Sequence, residues 1–188
     1  MTAKHKIISK GHETTMNIVC MSDVNMSYRR HPTIEDIFAA RSSLDTNIRK
    51  TPLQRSDTFS RMVGTNIFLK QECLQKTGSF KVRGAFTKLN SMSKQERSRG
   101  VIAASAGNHA QGLAYASSKE NIQCTIVMPR NASPAKVAAT RSYGAQVILS
   151  GADYEESWSA TLRIAKDKGL TIIHAFNDDH VVCGQGTI

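Results

Sequence analysis

The sequence predicts an α/β protein organised around a parallel sheet, on three observations. Strand-like and helix-like stretches alternate from residue 99 to 175, the apolar runs are short and rich in Val, Ile and Thr, and glycine or proline punctuates the joins. Val101–Ala104, Cys124–Met128, Gln146–Leu149 and Thr171–His174 read as strands. Asn108–Ser118, Ala135–Tyr143 behind Pro134, and Tyr154–Asp167 read as the helices between them. Four strands joined by three helices require parallel pairing with helical crossovers.

The chain before this unit is helical with one strand. Residues 1–30 lack a regular pattern and read as a disordered tail, with a basic organelle-targeting segment (mitochondrial or plastid) as the alternative. Thr33 and Asp36 form a helix-start pair ahead of Ile34, Ile37, Phe38, Ala40 and Leu44, which recur at helical spacing. Thr51-Pro52-Leu53 breaks that helix. Phe59, Met62 and Val63 predict a short amphipathic helix capped by Gly64, and Ile67-Phe68-Leu69 predicts a strand with no partner in sequence. A helix then carries Val82, Ala85, Phe86 and Leu89 on one side, followed by a Ser-rich connection holding Lys94, Arg97 and Arg99.

Two stretches carry chemistry. In Gln75-Lys76-Thr77-Gly78-Ser79-Phe80-Lys81, a lysine stands at the mouth of a helix with Ser79 as the expected N-cap. The positive end of the helix dipole and burial both disfavour its ammonium form, and a neutral amine attacks carbonyls. Read alone, Lys81 is as simply a solvated surface lysine. In Ser105-Ala106-Gly107-Asn108-His109 a strand ends and a helix begins, so backbone N–H groups gather as an anion site. Read alone, this is an ordinary glycine turn, and His109 a helix-start residue satisfied by backbone.

Together these stretches resemble a known family. Leu69-Lys70, Glu72, Gln75 and the run Thr77–Ala85 resemble the lysine motif of the fold type II pyridoxal-phosphate enzymes, above all the threonine and serine dehydratases and serine racemase. Ser105–Gly112 and Gly184–Ile188 resemble two further signatures of that family, in family order. The resemblance runs from about residue 34 to 188 and implies a small parallel-sheet domain (99–175) beside an incomplete large α/β domain built from 31–98 and 176–188. It implies that most of the large domain, including the loop that grips the cofactor phosphate, lies outside these residues. Helices around Phe38, Leu44, Phe59 and Phe86 are then expected to lack packing partners.

The resemblance also assigns roles. Lys81 would bind pyridoxal 5'-phosphate as a Schiff base and act as the catalytic base, Phe80 would pack on the cofactor ring, and Asn108 would bond its 3-hydroxyl. Ser105, Gly107, Asn108 and His109 would hold the substrate carboxylate. Ala106 stands where serine racemase has a serine, so an acid on the face opposite the lysine is lacking and dehydration is favoured over racemisation. The implied activity is that of a threonine/serine ammonia-lyase converting threonine to 2-oxobutyrate and ammonia, in amino-acid metabolism on the route to isoleucine, by a homo-oligomer. A serine racemase-like enzyme and a non-catalytic remnant are the alternatives.

Composition excludes several other classes. With 40% hydrophobic and 21% charged residues the chain is neither globally disordered nor membrane-like, and no apolar run approaches the ~20 residues of a span. The net charge of +10 comes from scattered lysines and arginines without interleaved aromatics, which argues against nucleic-acid binding. Cys20, Cys73, Cys124 and Cys183 are far apart and match no metal spacing, so no metal is expected, and free thiols in a reducing, cytoplasmic setting are.

Overall fold

The sheet has the order β5-β4-β3-β6 with all strands parallel, in a computed structural model that describes residues 31–44 and 46–188. Its strands are β3 (Val101–Ala104), β4 (Cys124–Met128), β5 (Gln146–Leu149) and β6 (Thr171–Ile172), and its crossovers are α5 (Asn108–Lys119), α6 (Pro134–Ser142) and α7 (Tyr154–Lys168). The period of two along each strand sorts the side chains onto two faces. Val101, Ala103, Cys124, Ile126 and Met128 join a large core with Leu113 of α5 and Val137 of α6, whereas Ile102 and Val127 pack with Ala160 and Ala165 of α7. The chain therefore crosses one face twice, from β3 through β4 to β5, and returns over the other face to reach β6 beside β3. Right-handed crossovers demand that switch of face when the strand order reverses.

The expected elements of this unit form, with β6 shorter than predicted, although Ile173 N still donates to Ile102 O. The chain ahead of it departs from expectation in several places. The strand at residue 67 has a partner after all: β1 (Leu53–Arg55) pairs antiparallel with β2 (Phe68–Lys70). The Ser-rich connection is α4 (Lys94–Arg99), started by a capping box in which Ser93 Oγ accepts from Glu96 N and Ser93 N donates to the Glu96 carboxylate. After the sheet the chain forms a further helix, α8 (Asp179–Gln185).

α1 (Ile34–Leu44) begins at the expected Thr33–Asp36 pair, and α2 (Asp57–Val63) ends at Gly64 in the left-handed conformation. Phe38 and Phe59 are exposed as expected, but Leu44 and Phe86 are fully buried. The core of the sheet unit extends over α3 (Lys81–Ser91) and takes both side chains in, so the helices that carry them do not lack partners. Residues 32–188 form one compact unit. The N-terminal segment 1–30, including Cys20, lies outside the described residues.

α3 is seated between α5 and α8 by glycines. A Cβ on Gly112 of α5 would lie 3.0 Å from Val82 N, and one on Gly184 of α8 would lie 2.5 Å from Gly84 Cα and 2.6 Å from Thr87 Oγ1. Gln185 Oε1 accepts from Gly84 N at 3.2 Å. Gly184 and Gln185 thus form the bed of the lysine helix: Gly184 lets the two backbones approach where any side chain would collide.

Candidate functional site

Lys81 is the first residue of α3, yet Ser79 does not cap the helix. Ser79 is extended (φ −159, ψ 163), the cap position falls to Phe80 without a side-chain bond, and the buried Ser79 Oγ has no partner among the described residues. Short 3-10 turns at Glu72–Leu74 and Lys76–Gly78 deliver the chain to this point. Gln75 holds them in place: its Oε1 accepts from Arg49 N at 2.8 Å and Lys76 N at 3.0 Å, and its Nε2 donates to Arg49 O at 2.9 Å. Thr77 takes a left-handed φ of 63 just before Gly78 at 70. The reversal aims Lys81 at the sheet.

There Lys81 Nζ donates to Ala175 O at 2.9 Å, just past the end of β6, and lies 5.4 Å from the centre of the Phe80 ring. Burial holds the amine below the usual lysine range, so the neutral form is more accessible than on a surface lysine. Phe80 is partly exposed beside it.

The second group sits at the end of β3, next to β6. Ser105 Oγ accepts from Gly107 N and from Ala110 N, each at 3.2 Å, and so caps α5. The amides of Ala106, Asn108 and His109 have no acceptor among the described residues. Gly107 leaves the loop open, since a Cβ there would meet nothing within 4 Å. Asn108 is exposed. The loop therefore offers free N–H donors, a Ser105 hydroxyl hydrogen and an amide side chain at the positive end of a helix, which is chemistry for a carboxylate.

His109 behaves differently from its neighbours. Its ring is buried, with Nε2 3.1 Å from Ile173 O, and burial pushes its pKa down to about 4. Among the predicted site residues, Lys81, Phe80, Ser105, Gly107 and Asn108 come to one end of the sheet, while His109 presents its amide there and sends its ring inward. The carbonyls of Ile173 and Ala175 are not legible from residue types, because backbone groups carry no residue-type signature. Their position does have a rule behind it: the strand order reverses between β3 and β6, and in open α/β sheets ligands bind at the carboxyl ends of strands at such a reversal.

Among the described residues no cluster of His, Cys, Asp or Glu has a metal-binding arrangement, and no helix is long and apolar enough to cross a membrane. Cys73, Cys124 and Cys183 are free thiols.

The likeness to known proteins covers the whole of this site. The chain is 51% identical over 156 residues to the L-threonine ammonia-lyase of Thermotoga maritima, covering 83% of this chain and 39% of that protein. It is 46% identical over 157 residues to a catabolic L-threonine dehydratase of Staphylococcus aureus, covering 83% of this chain and 45% of that one. Among solved structures, maize serine racemase superimposes with a TM-score of 0.80 at 35% identity, over 84% of this chain and 48% of that chain. The chain thus spans about half the length, or less, of these relatives. Residues 44–188, with the Lys81 turn and the Ser105 loop both inside them, match the family described as pyridoxal-phosphate dependent enzyme, and the chain belongs to that family.

Proposed function

We propose that this chain carries the lysine and the carboxylate loop of a threonine/serine ammonia-lyase, which converts threonine to 2-oxobutyrate and ammonia. Lys81 Nζ lies at the end of β6 and the free amides of the Ser105 loop at the end of the neighbouring β3, and this neighbourhood supports such an elimination. The residues present fit pyridoxal phosphate: a half-buried amine for its aldehyde, the Phe80 ring for its flat face, and Asn108 for its hydroxyl. When bound, the cofactor supplies the electron sink that makes the substrate's α-hydrogen removable. Ser105, the loop opened by Gly107, and the amides of Asn108 and His109 bind and orient the substrate carboxylate. Lys81 Nζ would take the α-proton as the substrate's β-hydroxyl departs, the two leaving together as water, and the same amine would hold the cofactor between turnovers.

In this reading residues 99–175 form the small domain and 31–98 with 176–188 contribute to the large one, after a tail at 1–30. The free thiols favour the cytoplasm. Serine is the second substrate, the working form is a homo-oligomer, and neither nucleic acid nor membrane is a partner. The 2-oxobutyrate serves isoleucine biosynthesis, or catabolism as in the staphylococcal relative's name. Protein reconstituted with pyridoxal phosphate and given threonine should release 2-oxobutyrate and ammonia in equal amounts. Absence of both, at saturating cofactor, would sink the proposal.

Racemisation is the second reading, favoured by the maize neighbour. It needs a proton donor opposite Lys81, and Ala106 has none to give. Ala106→Ser is therefore expected to add formation of D-serine from L-serine, measured by chiral chromatography, while threonine turnover persists. No D-serine above the parent would remove position 106 from that role.

A further inference from the structure

The ring of His109 is held by a backbone carbonyl and its other nitrogen is bare. Nε2 lies 3.1 Å from Ile173 O, and Nδ1 is buried without a partner among the described residues. A carbonyl oxygen only accepts, so Nε2 carries the hydrogen and the neutral ring keeps a lone pair on Nδ1. A buried lone pair repels a carboxylate, so the ring is unsuited to hold one. What it does hold is the exit of β6. Two residues beyond Ile173, the carbonyl of Ala175 receives Lys81 Nζ at 2.9 Å. The same short segment is tied further on, where His174 Nδ1 accepts from Asn177 N at 2.9 Å and Asp178 pairs with Lys88 of α3 at 2.8 Å.

We propose that His109 is a positioning residue: its imidazole fixes the segment 173–175 so that the Ala175 carbonyl seats the amine of Lys81 whenever that amine is free. The inference rests on the ammonia-lyase reading for its kinetic consequence, but not for the contact itself. While the substrate occupies the cofactor, Lys81 is a loose four-carbon chain unless something receives its nitrogen. The Ala175 carbonyl is that receiver, and it stays in register because the buried His109 donates to Ile173. The carboxylate is bound by amides of the Ser105 loop, so loss of the ring should slow the proton transfers and leave substrate binding nearly unchanged.

The test compares His109→Asn with His109→Gln in the intact protein. Glutamine places its Nε2–H as many bonds from the backbone as the imidazole Nε2–H, whereas asparagine falls short of Ile173 O. The Asn variant is expected to lose about 10- to 100-fold in kcat, the scale of a misplaced reacting group, with KM for threonine within about twofold of the parent. The Gln variant should recover most of that loss. In cofactor-free protein, hydrogen exchange followed by mass spectrometry should show amides 173–177 exchanging faster in the Asn variant and at the parent's rate in the Gln variant. A rise in KM with kcat unchanged would overturn the proposal by making the ring a substrate ligand. So would unchanged exchange in the Asn variant, or a Gln variant no better than Asn. If the parent itself does not turn threonine over, the ammonia-lyase reading fails, and the exchange comparison still decides the positioning contact.

Discussion

Lys81→Ala is expected to abolish threonine turnover and the absorbance of the lysine-bound cofactor, while the folded protein keeps its stability to within about 1 kcal/mol. The asymmetry follows from what the side chain does in each role. For the fold, Lys81 contributes one hydrogen bond to a backbone carbonyl, worth about 0.5–1.5 kcal/mol net, and alanine repays part of that through its helix propensity. In the proposed reaction it would be both covalent anchor and base, and removal of a positioned base alone costs about 10²–10⁴-fold. Burial lowers the lysine pKa, so the neutral base is populated at a lower pH than in an exposed lysine, and the rate should rise with pH as the ammonium is lost. Absorbance spectra, a 2-oxobutyrate assay and a urea titration on parent and variant check the three statements. Parent-like turnover in the variant would remove Lys81 from the mechanism.

The strands of the sheet were legible because their signal is local: four short apolar runs, each bounded by a turn, with a helix-length gap between them. β1 was not, because Leu-Gln-Arg after a proline has no apolar pattern, and it becomes a strand only by pairing with β2 across the intervening helix. α4 was legible and missed: Ser93 followed by Glu96 is a capping box, outweighed in the reading by the surrounding serines and charges. Ser79 shows the opposite failure. A serine before a helix is a good cap by residue type, but the left-handed pair Thr77 and Gly78 turns the chain so that its hydroxyl is buried instead. At the site, Lys81, Gly107 and Asn108 could be picked out because their chemistry is in the side chain or its absence. The inward turn of His109 and the two carbonyls it connects depend on β6 lying beside β3, which is a property of topology and not of composition.

Removing the carboxylate of Glu72 should cost about 3–5 kcal/mol of stability, the largest loss expected from any single charge deletion here. Glu72 and Arg83 are both buried, 8% and 4% exposed. The pair is bidentate, with Arg83 Nε to Oε2 at 2.9 Å and Nη2 to Oε1 at 2.8 Å, and Thr51 Oγ1 donates to Oε1 at 2.6 Å. Arg83 Nη1 reaches on to Thr187 Oγ1 at 3.2 Å. The guanidinium therefore ties the turn before Lys81 and the segment after α8 to the third position of the lysine helix. In Glu72→Ala that guanidinium stays buried with only the neutral Thr187 groups to answer it, and its desolvation is no longer offset. Replacing both members by apolar residues, Glu72→Leu with Arg83→Met, should recover much of the loss, because the pair's net contribution is far smaller than the penalty of orphaning one charge. The pH dependence has a definite sign. Burial pushes the Glu72 carboxyl up, but the hydrogen bonds from Arg83 and Thr51 and the charges of Arg83 and Lys70 outweigh it and hold the folded-state pKa below the ordinary 4.5. A depressed carboxyl stabilises the fold above its unfolded pKa, and that stabilisation fades as pH falls from about 4.5 through the lower folded value. Urea midpoints of parent and Glu72→Ala should accordingly lie furthest apart near neutral pH and approach each other in acid. A Glu72→Ala variant within about 1 kcal/mol of the parent at neutral pH would mean that water reaches Arg83 and that the pair is not sealed in the interior.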